Sequence, residues 1–245
     1  MQFTHSLIAA LTTAVAGHIH MINPPPIRAK ENPNSGWDID YDINSPLTPT
    51  MDQFPCKGVL KYLGQPQGAS VATYSQGSSQ AITIGTGATH NGGSCQISLS
   101  YDQGRSFKVI KSYIGNCPVQ NGDFPFTVPA DAPTGEAVLS WSWINQLGNR
   151  EFYQNCAVVT VTGASAKAKK QVQEVSKRQS VPFNSLPEIF VAHMGNGWCV
   201  AEGVDVVYPE PGPDVTNTSS KPGEPFQCQA ALTILGGRSA TQLSR

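Results

Sequence analysis

The chain has 245 residues, with 16 basic and 17 acidic side chains and a formal net charge of −1. So even a balance offers no basic surface for nucleic acid or an anionic membrane, and the length allows one or two domains. Only 13% of the residues are charged, whereas Gly numbers 23 and Pro 19, a composition of turns and short strands rather than long helices.

Residues 7–15 form a short apolar run that reads as the core of a secretory signal peptide and is too short to cross a bilayer. Val15 and Gly17 are the third and last residues before His18. Cleavage after Gly17 would remove residues 1–17 and make His18 the first residue of a secreted protein. Cleavage after Ala16 fits the Ala-x-Ala pattern better and would leave Gly17 in front. A first-residue histidine offers a metal two nitrogens, its amine and its ring. A further histidine would complete a nitrogen-rich tetragonal site of the kind that favours Cu(II), and a free amine titrating near about 8 gives up its proton at modest cost. The plainer alternative is that His18 and His20 are polar residues at a frayed terminus. His20, third in such a chain, could also form a separate copper site with the amine and two amides.

Residues 23–55 lack periodicity, and Pro24, Pro25 and Pro26 exclude a helix or central strand there. Strands are predicted at 80–84, 96–101, 107–110, 124–128, 137–143 and 157–161. In the fifth of these Leu139, Trp141 and Trp143 share one face. Turn signals at 102–104, 121–123 and 133–135 separate the strands, and this spacing indicates a two-sheet β-sandwich. Residues 164–180 are polar and basic and read as a linker, in which the dibasic Lys177-Arg178 is a candidate processing site. One more strand is predicted at 187–192. Cys199 and Cys228 bracket a Pro/Gly-rich stretch, so 181–245 reads as a small module in need of a disulfide. Asn217-Thr218-Ser219 is a glycosylation sequon. No later segment is apolar and long enough to span a membrane.

The six cysteines, Cys56, Cys95, Cys117, Cys156, Cys199 and Cys228, show no CxxC spacing. Behind a signal peptide an even count reads as disulfides, with fifteen possible pairings. His90 lies in a glycine-rich loop ahead of Cys95, and Glu151 and Tyr153, two apart, would share a strand face. These residues could close over a metal; each alone is also an ordinary surface or core residue. No pair of carboxylates stands out as the acid and base of a hydrolase.

Together, His18 behind a signal peptide, Ser45-Pro46-Leu47, residues 52–57, the His90 loop, residues 140–143 and residues 148–156 resemble the fungal lytic polysaccharide monooxygenases of auxiliary-activity family eleven, the chitin-active group. The resemblance covers about residues 18–163. It implies an all-β, immunoglobulin-like antiparallel sandwich over 18–163 with copper as cofactor. Copper would be held by the amine and ring of His18 and the ring of His90, with Tyr153 axial, Glu151 beside the metal and Ala88 crowding the other axial side. Glu151 and Tyr153 would be the catalytic residues. The expected pairings are Cys95 with Cys117, Cys56 with Cys156, and Cys199 with Cys228. The tail resembles a small appended module thought to bind chitin. The implied activity is oxidative cleavage of chitin, mostly at C1, by a secreted monomer using an external electron donor and peroxide or oxygen. A non-catalytic copper- or chitin-binding protein with the same brace is the alternative. Asn91 departs from the glycine usual after the loop histidine, and the linker is rich in lysine rather than Ser/Thr.

Overall fold

The computed structural model describes residues 17–164 and 181–228. The predicted signal segment up to residue 16, almost all of the predicted linker with Lys177-Arg178, and residues 229–245 lie outside the described residues.

Eight strands carry the sandwich: β1 (Met21–Asn23), β2 (Ala72–Ser75), β3 (Ser79–Ile84), β4 (Gly93–Ser100), β5 (Lys108–Ile114), β6 (Asp123–Thr127), β7 (Gly135–Asn145) and β8 (Phe152–Thr162). The tail adds β9 (Trp198–Cys199), β10 (Asp205–Val206), β11 (Val215–Asn217), β12 (Pro222–Gly223) and β13 (Phe226–Gln227). The small sheet runs β1-β3-β6 and the large one β11-β5-β4-β7-β8-β2. Both large-sheet edges are parallel pairings, β2 with β8 and β11 with β5. Parallel neighbours cannot be joined by a hairpin; β2 follows the long loop after β1, and β11 comes from the tail.

The alternation in β7 decides what lies between the sheets. Leu139, Trp141 and Trp143 are all 0% exposed and meet Ile82, Ile84, Phe124 and Phe126 of the small sheet in one core. Removing such side chains from water contributes about 1.5–3 kcal/mol each. The opposite face of the large sheet is covered as well. Val138, Ile144, Phe152 and Val158 pack against Ile27, Leu47 and Val59 of the long loop and Ile189, Met194, Val200, Val206 and Tyr208 of the tail. On this covered face Gln154 donates to the Ser140 hydroxyl, 2.9 Å away, whereas the buried Ser142 hydroxyl has no hydrogen-bond partner among the described residues.

Six predicted strands correspond to β3 to β8. The predicted strand at 187–192 is corrected to a single bridge, Lys108 to Glu188. Val109 N donates to Pro187 O and Ile189 N to Phe107 O, but the Phe190 amide then turns to the Gln96 side chain. The chain leaves the β5 edge there, and β11 occupies it from Ser112 onward. β1 and β2, three and four residues long, are too short to show a period.

Disulfides join Cys56 to Cys156, Cys95 to Cys117 and Cys199 to Cys228. The first pins the end of the long loop to β8. The third closes within the tail, where β9 pairs with β13. The tail is thus stapled to itself and also docked along the sandwich, through β11 and the covered apolar face. Among the described residues no helix is long and apolar enough to cross a membrane.

Candidate metal centre

One end of the sandwich gathers His18, three residues before β1, the β3–β4 connection, and the β7–β8 connection. The backbone of His18 is fixed on both sides. Asn44 Nδ2 donates to His18 O at 2.9 Å, and His18 bridges Ala88, whose amide donates to Gly17 O at 3.0 Å. Gly87 permits this approach: a Cβ there would lie 2.6 Å from His18 O, at a φ of +152°. The His18 nitrogen is an amide in the uncut chain and becomes an amine only when Gly17 is removed.

His90 sits at a corner with left-handed backbone, φ 48°, a conformation uncommon outside glycine. The corner is held from behind: Leu147 N donates to His90 O at 3.0 Å, the Trp143 indole N–H donates to Gly92 O at 3.1 Å, and the Cys95–Cys117 bridge lies just beyond. Glu151 immediately precedes β8. Its amide donates to Asn145 Oδ1 at 3.1 Å, while Asn145 Nδ2 donates to Leu147 O and Asn149 O at 3.0 and 2.6 Å. The fully buried Asn145 side chain thereby shapes the loop that presents Glu151. Tyr153 enters from the core, stacked on Trp143 with ring centroids 4.3 Å apart, and its hydroxyl donates to Glu151 Oε2 at 2.5 Å.

These side chains converge. The His18 and His90 rings are 5.1 Å apart and those of His18 and Tyr153 5.5 Å. Ligand atoms of His18, His90 and Glu151 all lie within 4.8 Å of one another. His90 Nε2 is buried and has no hydrogen-bond partner among the described residues, a costly state for a ring nitrogen unless a ligand satisfies it. Burial, then the neighbouring His18, lowers the His90 pKa, so its ring is neutral and its lone pair available near neutral pH. Burial and the hydrogen bond to Glu151 push the Tyr153 phenol far up, which keeps it a neutral O–H. Two imidazoles, a carboxylate and a phenol around one gap are a donor set suited to a transition metal.

His20 does not join them. Its ring faces Glu31, with Nε2 3.6 Å from Oε2; burial lowers its pKa, opposed by Glu31. His20 O accepts from Gly85 N, and Ile19 is buried in the core. The folded backbone therefore opposes the amine–amide–ring copper site considered from the sequence. Asn217 lies exposed in β11, its Oδ1 accepting from Ser219 N. Residue type and spacing do not mark Asn145, which holds its own loop, Gln146, which bonds the Asn91 and Asp205 side chains, or Arg150, whose Nε donates to Val200 O at 3.3 Å.

No protein-family model matches the chain. Curated relatives do. AA11 family lytic polysaccharide monooxygenase A of Aspergillus fumigatus is 38% identical over 210 residues, covering 85% of this chain and 89% of the relative. Monooxygenase B of the same species is 34% identical over 97% of this chain and 60% of its own length. An Aspergillus oryzae member is 36% identical over 88% of this chain and 52% of its own. The chain thus spans little more than half the length of these last two. The first match covers more of the chain than the 180 residues before the tail could supply, so it reaches into the tail. With a relative of this identity matched over nearly its whole length, the chain belongs to the AA11 family of lytic polysaccharide monooxygenases.

Proposed function

We propose that the secreted form of this chain, beginning at His18, is a copper-dependent monooxygenase that cleaves chitin oxidatively, mostly at C1. The observation that carries this reading is a His90 ring that clusters with the His18 ring and the Glu151 carboxylate within 4.8 Å while its buried Nε2 has no hydrogen-bond partner among the described residues. Copper would be held by the amine and ring of His18 and the ring of His90, with Tyr153 and Ala88 beside it. Bound copper, cycling between two oxidation states, would supply the one-electron chemistry by which peroxide, or oxygen with two electrons and two protons, turns a C–H bond into C–OH and leaves water.

The chain's own residues would do the rest. Glu151, already accepting the Tyr153 proton in a hydrogen bond, would orient the oxidant and exchange protons with it. Tyr153 stays protonated and would offer a neutral oxygen. Trp143, stacked behind it, fixes its ring. Hydroxylation at C1 makes the glycosidic bond labile, and the new end opens to an aldonic acid. The chitin assignment rests on the motif resemblance. Secretion is supported by the apolar run at residues 7–15 and by three disulfides. The partners in this reading are chitin or a related insoluble polysaccharide and an external electron donor. The protein would act as a monomer, with no nucleic acid or membrane involved. In the same reading the tail contributes to chitin binding, and Asn217 is glycosylated.

The test begins with intact mass or N-terminal sequencing of secreted material, expected to give His18 first. Copper titration of His90→Ala should then show marked loss of affinity, and His20→Ala little change. A chain starting at Gly17, or copper binding that survives His90→Ala but not His20→Ala, would overturn the site.

A further inference from the structure

The His90 corner is fastened to the tail through one continuous chain of side chains. Asn91, also left-handed at φ 62°, donates through Nδ2 to Gln146 Oε1. Gln146 Nε2 donates to Asp205 Oδ1 at 2.8 Å, and Ser219 Oγ donates to Asp205 Oδ2 at 2.7 Å. Gln146 spends its backbone the same way: its N–H donates to Gly92 O at 3.0 Å, and its C=O accepts from Gly203 N at 2.8 Å. The neighbouring stretch is tied to the tail as well. Glu202 Oε1 accepts from Gly148 N at 3.0 Å, and a Cβ on Gly148 would lie 3.3 Å from His90 Nδ1.

Asp205 is 3% exposed, and among the described residues no Lys, Arg or His pairs with it. A buried carboxylate without a cation is a costly choice. What it provides is polarity. Ionised, it only accepts, so Gln146 must turn Nε2 toward it. Gln146 then offers Oε1 to Asn91, and Asn91 must answer with Nδ2. A carboxylate at 205 thus selects one orientation for two amides that could each sit either way round, and the second amide belongs to the residue following His90.

We propose that Asp205 is a positioning residue of the metal centre, holding the His90 ring in one orientation through Gln146 and Asn91. This rests on the copper reading of the site. It gives the tail a role in the centre itself, separate from any role in substrate binding.

Asp205→Asn keeps the shape and lets either end face Gln146. It is compared with the parent and with Gln146→Leu, which cuts the chain in the middle. Two readouts are taken: the His90 ring resonances of the metal-free protein, and the affinity and paramagnetic spectrum with a Cu(II) salt. In the parent we expect one set of His90 signals and one copper species. In both variants we expect doubled or broadened His90 signals, a second copper species and about tenfold weaker copper binding. The double variant should be little worse than Gln146→Leu alone, because both changes break one path. If Asp205→Asn is too unstable to isolate, Gln146→Leu decides. A variant that only melts earlier, with His90 signals and copper spectrum unchanged, overturns the proposal and leaves the copper reading standing. A parent that takes up no copper at His18 and His90 overturns both.

Discussion

Glu151→Gln separates the structural role of this carboxylate, accepting from Tyr153, from the role in turnover proposed for it. The substitution preserves shape and still lets Tyr153 donate to an oxygen in place of Oε2. It removes the charge from that bond. Hydrogen bonds to charged groups contribute roughly 1.5–3 kcal/mol and neutral ones about 0.5–1.5, so the folded state should lose about 1 kcal/mol. For a chain of this size that lowers Tm by about 2–4 °C. The same carboxylate lies within 4.8 Å of a ring nitrogen of both His18 and His90. The nitrogen ligands remain, so copper affinity should fall by about tenfold at most. Turnover should fall by about 10–100-fold, the usual range for a group that tunes a metal without ligating it. Differential scanning calorimetry, copper titration and product release measure the three quantities. Unchanged turnover would remove Glu151 from the chemistry, and complete loss of copper would make it a ligand.

Two further outcomes follow from the docked tail. His193 accepts from Val200 N through Nε2 at 3.1 Å, and burial, then Arg150, lowers its pKa to about 4, below the 6.5 of the unfolded chain. The unfolded state therefore binds this proton first. The stabilising effect is complete above about pH 6.5 and is lost as the pH falls toward about 4, so Tm should drop across that window and His193→Gln should flatten the drop; an equally steep drop in the variant contradicts this. Replacing Cys199 and Cys228 together by serine removes a link across 29 residues, worth roughly 3.5 kcal/mol by chain entropy. Thermal unfolding should shift down by about 7–14 °C, and an unchanged Tm would mean that docking alone holds the tail.

The sandwich was legible because its inner face obeys a period of two: Leu139, Trp141 and Trp143 announce β7, and the turn signals bound its neighbours. The outer face was not. Val138, Ser140 and Ser142 lie on the face opposite Leu139, Trp141 and Trp143, and they are buried because the long loop and the tail cover that face; coverage by irregular chain leaves no periodic trace. The same cause hid how the tail is used. The Cys199–Cys228 spacing suggests a self-contained module, whereas β11 joins the sheet through backbone hydrogen bonds that no side chain advertises. At the candidate site, His18, His90, Glu151 and Tyr153 were singled out by residue type and motif resemblance, and the fold brings them to one end. Asn145, Gln146 and Asp205 went unseen, because a polar side chain that ties a loop together, whether to nearby backbone or to side chains far off in sequence, looks like any other polar residue.

The central claim is oxidative cleavage of chitin at the His18–His90 centre, and product analysis tests it most directly. Protein beginning at His18 is loaded with copper and incubated with β-chitin, a reductant and peroxide or oxygen, and the soluble products are weighed by mass spectrometry. Oligomers carrying one additional oxygen, mostly as C1 aldonic acids, are expected. They should be absent without copper and nearly absent with His90→Ala. Copper-loaded, correctly processed protein that releases no oxidised products from chitin or cellulose would contradict it, and would make the chain a copper-binding protein built on the same centre.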